Sequence, residues 1–254
     1  MGMAAAADHA AVRAINEIEA CMRTLKILGF LLTYPEQDHI LAADECIGVL
    51  QSEKWLSEKS LNKISRALEA FKEGDLLDLQ EDYVALFDRT PSLSLHLFEH
   101  IHGDSRDRGQ ALVDLLKVYE EAGLFITMEE MPDYLPLFAE YIATLPPKEG
   151  SETMGSVVNI LSSLSERLKN RKSFYADILD AMIETAARSP DPQIVAGYLK
   201  KSPGQPLSLD EMDDAWEEQF AFSNTPQTTG QDSACPKAEE MLARMGGYTE
   251  KERI

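Results

Sequence analysis

His96-Leu97-Phe98-Glu99-His100 spells H-x-x-E-H, the pattern in this chain with the most direct claim to chemistry. On a helix, residues 96 and 100 stand at i and i+4, so two imidazoles could share a zinc ion. Glu99 could then polarise a bound water, as in inverzincin proteases. The pattern is fixed by only two residue types, and nothing elsewhere singles out a third ligand. The same residues also read as a polar helix end leading into His102-Gly103. The chain has no Gly-rich phosphate loop of the Walker or Rossmann type and no GxSxG elbow. Cys21, Cys46 and Cys235 lie far apart with no CxxC pair, which argues against a zinc site or a disulfide framework and suits a reducing compartment.

A second polar stretch follows at once. His102-Gly103-Asp104-Ser105-Arg106-Asp107-Arg108-Gly109 packs alternating charges between two apolar segments. Gly103 suits a sharp turn, and Asp104 or Ser105 can cap the next helix. Arg106 and Arg108 can pair with Asp104, Asp107 or a partner's carboxylate. A solvated, capped loop accounts for the same residues.

The elements that must position these residues are helical. Apolar residues recur at helical spacing over about 15–32, 36–52, 59–73, 75–88, 106–121, 134–145, 152–169 and 174–188. Leu112, Leu115, Leu116 and Tyr119 give one face, and Gly123 is placed to end that helix. Asp133 is the expected N-cap of the 134–145 helix, with Pro136 harmless at its third position and Pro146-Pro147 stopping it. Ser173 can cap the helix after it. Beyond Ser189, Pro190, Pro192, Pro203, Pro206 and Pro226 and the polar run 223–236 mark a change of composition. Within that stretch Ser208-Leu209-Asp210-Glu211 fits a capping box for a short acidic helix carrying Trp216. The expectation is an all-α protein: an Ala-rich leader over 1–14, a single helical bundle over 15–188, and a largely flexible acidic tail over 189–254.

Charge narrows the partners. The 254 residues hold 44 Asp and Glu against 24 Lys and Arg, a formal net charge of -20. Such a chain repels nucleic acid and anionic lipid, whose binding needs a basic face, and attracts a basic peptide or protein surface. The start has neither a basic region nor a long apolar core, and no apolar run reaches membrane-spanning length, so a cytoplasmic protein is expected.

Three motifs carry a family resemblance. Leu95–Leu116, LHLFEHIHGDSRDRGQALVDLL, closely resembles the characteristic segment of NarJ-type nitrate reductase chaperones. Tyr83-Val84-Ala85-Leu86-Phe87 fits the aromatic-x-x-Leu-Phe signature of the wider family of molybdenum oxidoreductase maturation chaperones, and Glu130-Met131-Pro132-Asp133-Tyr134 fits its E-x-P-D-Tyr/His signature. The likeness covers about 21–188. It departs in the first 20 residues and at Thr90-Pro91-Ser92, where a more helix-compatible connection is expected.

The resemblance implies a binding protein that performs no turnover. It implies that the partner is the catalytic subunit of a nitrate reductase, bound through a basic N-terminal segment. The chaperone would hold the apoprotein open until its molybdenum cofactor is inserted, then leave before membrane docking, keeping no cofactor of its own. Tyr83, Leu86, Phe87, Glu130, Pro132, Asp133 and Tyr134 are the implied client-binding residues. His100, His102, Gly103, Asp104, Arg106, Asp107 and Arg108 form the family loop. Core packing explains Leu86 and Phe87 equally well, and helix capping explains Asp133. A zinc hydrolase on His96, Glu99 and His100, or a chaperone of a sulfoxide or N-oxide reductase, remain the alternatives.

Overall fold

The computed structural model describes residues 22–102, 107–126 and 130–201. It is all-α, as the apolar periodicity requires, and the described residues form no strand beyond one isolated bridge. The helices are α1 (Arg23–Phe30), α2 (Gln37–Glu53), α3 (Glu58–Glu73), α4 (Leu76–Tyr83), α5 (Leu97–His102), α6 (Asp107–Glu121), α7 (Leu135–Thr144), α8 (Pro147–Asn170), α9 (Tyr175–Glu184) and α10 (Pro192–Lys201). A π-helical turn, Val84–Asp88, extends α4, and a 3-10 turn, Pro91–Leu93, precedes α5.

α8 is the spine. Its 24 residues bury Met154, Val157, Leu161, Leu164 and Leu168 at alternating spacings of three and four, the stripe that lets one helix face a core throughout. α9 returns along it after a tight connection in which Lys172 takes φ 58. Ser173 helps start α9, its hydroxyl accepting from the Tyr175 N–H at 3.3 Å. α1 lies against α7, and Gly29 makes the close approach possible: a Cβ there would stand 3.1 Å from both the Ala139 Cβ and the Pro136 carbonyl. A larger side chain would push α1 off the helix that follows the E-x-P-D-Tyr motif.

Pro147 begins α8 rather than only ending α7, because proline's missing N–H costs nothing in a helix's first turn. Pro192 begins α10 in the same way. α10 lies past the expected boundary at Ser189 and packs on α8, with Val195 buried and Arg167 donating to the Tyr198 carbonyl at 2.8 Å. Thr90-Pro91-Ser92, the departure from the family pattern, is a turn that buries Thr90 and Ser92 and leaves Pro91 exposed: the Thr90 hydroxyl donates to the Ala85 carbonyl at 2.9 Å and caps the π turn. The leader, the expected Trp216 helix, Cys21 and Cys235 lie outside the described residues.

Candidate functional site

The site is a crossing of two chain segments. The chain before α5 runs antiparallel to the chain before α7, with His96 opposite Tyr134. The Leu97 N–H donates to the Asp133 carbonyl, and the Leu135 N–H donates to the Leu95 carbonyl, both at 2.9 Å. His96 therefore precedes α5 in an extended segment. The expectation that His96 and His100 share a helical face is corrected by this pairing, which helical periodicity cannot reveal.

Asp133 sits at the centre and is fully buried. It was expected to cap its own helix; instead Tyr134 holds the N-cap position of α7 with no side-chain cap. The Asp133 carboxylate turns across the crossing and accepts from the Phe98 N–H at 3.0 Å, capping the first turn of α5 in trans. It also meets His96 Nδ1 at 3.3 Å and lies 4.0 Å from Arg108 Nη2. Arg108 in turn donates to Glu99 at 3.0 Å. One carboxylate thus ties the E-x-P-D-Tyr motif to the start of α5 and to Arg108 of the family loop.

The histidines divide by environment. The hydrogen bond to Asp133 holds His96 above its usual range against the opposing effect of burial. Burial pushes His100 down, and its Nε2–H donates to the Ser94 carbonyl at 2.8 Å. His102 is also lowered by burial, and its ring meets Phe98 edge-on. His96 and His100 therefore direct these nitrogens to different partners, and Glu99 serves Arg108. Among the described residues no three His, Cys, Asp or Glu side chains are grouped to hold a metal ion.

On the other side of Tyr134 the surroundings are aromatic. Tyr83 and Phe87 are buried in the core. The Tyr83 hydroxyl donates to the Leu32 carbonyl at 2.9 Å and meets the Tyr134 hydroxyl at 3.1 Å, and burial drives its pKa far up. Its ring packs on Phe87, Tyr175 and the edge of Tyr34. The π turn leaves Leu86 half-buried against the hydrophobic core. Such turns often mark functional sites, and no residue pattern announced this one.

The remaining predicted residues surround the crossing. Glu130 is exposed, Tyr134 is half-buried, and the Pro132 carbonyl accepts from the Tyr119 hydroxyl at 2.9 Å. Burial is the main cause raising the Tyr134 pKa, and the charges of Glu130 and Asp88 add to it. Burial raises the Asp88 pKa, and the charge of His96 partly opposes it. Asp107 is exposed in the first turn of α6, where a negative charge complements the helix dipole. Gly103, Asp104 and Arg106 lie outside the described residues. Sequence reasoning missed Asp88 and Tyr34; a carboxylate and an aromatic beside the Leu-Phe motif and Pro35 were the available signals.

The arrangement joins an exposed acid, a half-buried tyrosine and an apolar backing. Comparison with known proteins identifies the family. A model of the family described as nitrate reductase delta subunit matches residues 56–186, a span that includes all three motifs. The nitrate reductase molybdenum cofactor assembly chaperone NarJ of Escherichia coli K12 is 38% identical over 200 residues, 78% of this chain and 84% of the relative. The chain belongs to the NarJ-type nitrate reductase molybdenum cofactor assembly chaperones. A second relative in that strain, named as a probable chaperone of the same kind, NarW, is 36% identical over 168 residues, 66% of this chain and 70% of the relative. A Bacillus subtilis relative, named as a probable chaperone of this kind, NarJ, is 26% identical over 162 residues, 63% of this chain and 86% of the relative. The NarJ-type protein described here is accordingly a chaperone and not an enzyme. No helix among its described residues is long and apolar enough to cross a membrane.

Proposed function

We propose that this NarJ-type chaperone works in the cytoplasm on the catalytic subunit of a nitrate reductase. It binds the apoprotein through a basic, amphipathic N-terminal segment, keeps it competent for molybdenum cofactor insertion, and departs before membrane docking. The cofactor is cargo for the client, and the chaperone needs none itself.

The observation that carries this reading is the crossing. Asp133 ties the E-x-P-D-Tyr motif to α5, and the negative charges of Glu130 and Asp88 both act on Tyr134, whose half-buried ring can receive an apolar side chain. An amphipathic segment can set its apolar face against Tyr134 and Leu86 while its Lys or Arg meets Glu130 and Asp88. Tyr83 and Phe87 act from behind, holding Tyr134 and Leu86 in place rather than touching the client. Acidic rims speed the encounter and make it sensitive to salt.

Calorimetric titration with a peptide of the client's N-terminus tests this. Saturable 1:1 binding that weakens with salt, and weakens about tenfold in Glu130→Lys, is the expected result. Glu130 is exposed, so that variant leaves the fold intact, whereas removing Asp133 would confuse binding with stability. A folded wild-type protein that shows no binding at low salt would overturn the reading.

A further inference from the structure

We infer that the client-binding face continues past the crossing onto the first turn of α4, where Tyr34 and Leu77 receive the apolar side of the same basic segment. This rests on the function proposed above but concerns residues outside all three motifs.

Large apolar side chains rarely stand open in a group without a partner to cover them. Leu77 is 71% exposed, Tyr34 43% and Met131 42%. A chain of contacts links them. The Tyr134 N–H donates to the Met131 carbonyl at 3.0 Å, and the Tyr134 hydroxyl meets that of Tyr83 at 3.1 Å. Tyr34 sets its ring edge-on to Tyr83, with centroids 5.6 Å apart. Next to Tyr34, the Pro35 carbonyl accepts from the Gln80 side chain at 2.8 Å, and Leu77 lies one helical turn before Gln80. The crossing, the α1–α2 connection and α4 thus present one apolar strip.

Charge chooses the occupant. Residues 34–38 and 76–88, which flank the strip, hold six acids (Glu36, Asp38, Asp78, Glu81, Asp82 and Asp88) and no Lys or Arg. All six are exposed. An anionic lipid surface or a nucleic acid would be repelled here, and a wholly apolar segment would leave the acids without counter-charges. A peptide with an apolar face and cationic edges satisfies both parts.

The test is the same titration with the client's N-terminal peptide, run on Leu77→Ser and Tyr34→Ser in the full chain. Leu77 is largely exposed, so the urea midpoint of Leu77→Ser should stay at the wild-type value, whereas Tyr34→Ser also loses the ring contact with Tyr83 and should unfold at slightly lower urea. The expected result is about tenfold weaker binding for Leu77→Ser, the loss of one apolar anchor, with a smaller loss for Tyr34→Ser. If both bind like wild type while Glu130→Lys binds weakly, the face ends at the crossing and this inference is wrong although the proposed function stands. If wild type itself does not bind, the proposed function fails and the inference with it.

Discussion

Two regions meet at Tyr134 and are held together by opposite means. On one side the aromatic cluster of Tyr83, Phe87, Phe71, Phe174 and Tyr175 packs ring on ring, with centroids 4.3–6.2 Å apart. On the other, the crossing depends on one buried carboxylate with three polar neighbours. Apolar packing is non-directional and tolerates small shifts, so it sets where α4 sits. A buried carboxylate is directional and costs free energy when unpaired, so it sets the orientation of the motif. The proposed recognition residues lie on the seam. Their backing comes from the first region and their aim from the second.

Removing a ring should break the first region most. Phe87→Ala leaves a cavity beside Tyr83 and Tyr175 and should cost about 3–5 kcal/mol, read as a lower urea midpoint. Asp133→Ala should cost somewhat less, about 2–4 kcal/mol, because the Phe98 N–H and Arg108 lose an acceptor in a buried place. The two variants should differ in kind. The Phe87→Ala cost should be flat with pH, and the Asp133→Ala cost should vary with it.

That pH dependence has a definite sign. His96 binds its proton more tightly when folded, so its contribution is complete below the unfolded value of about 6.5 and is lost as pH rises through the raised folded value. His100 and His102 bind theirs less tightly when folded, so they cost stability as pH falls below about 6.5. These three histidines together make stability fall on both sides of about pH 6.5. His96→Gln should remove the alkaline fall and keep the acid one; denaturant titration from pH 5 to 8 would show it.

Smaller effects sharpen the boundary. Tyr83→Phe loses the bond to the Leu32 carbonyl and leaves the Tyr134 hydroxyl without that partner, a cost of about 1 kcal/mol. Glu130→Ala, on the exposed rim, should change stability by less than about 0.5 kcal/mol while weakening the client.

The helices were legible because each buries one face: the stripes of α6, α8 and α9 are written at spacings of three and four. The crossing was legible only in composition. Asp133 was expected to cap its own helix because capping rules look along the chain, whereas its real partner, the Phe98 N–H, is 35 residues away. His96 looked helical because the H-x-x-E-H spacing is helical, yet its backbone pairs with Tyr134. The π turn at Val84–Asp88 adds a residue to a helical repeat, which periodicity averages away. Family resemblance located the motifs, and the structure supplied the reason they lie together.

The most direct test of the seam is hydrogen exchange of the full chain with and without the client's N-terminal peptide. The account predicts protection over 130–134 and 76–88, with the α8–α9 pair unchanged. Protection confined to α3 or α10, with the crossing and α4 exchanging as in the free protein, would contradict it.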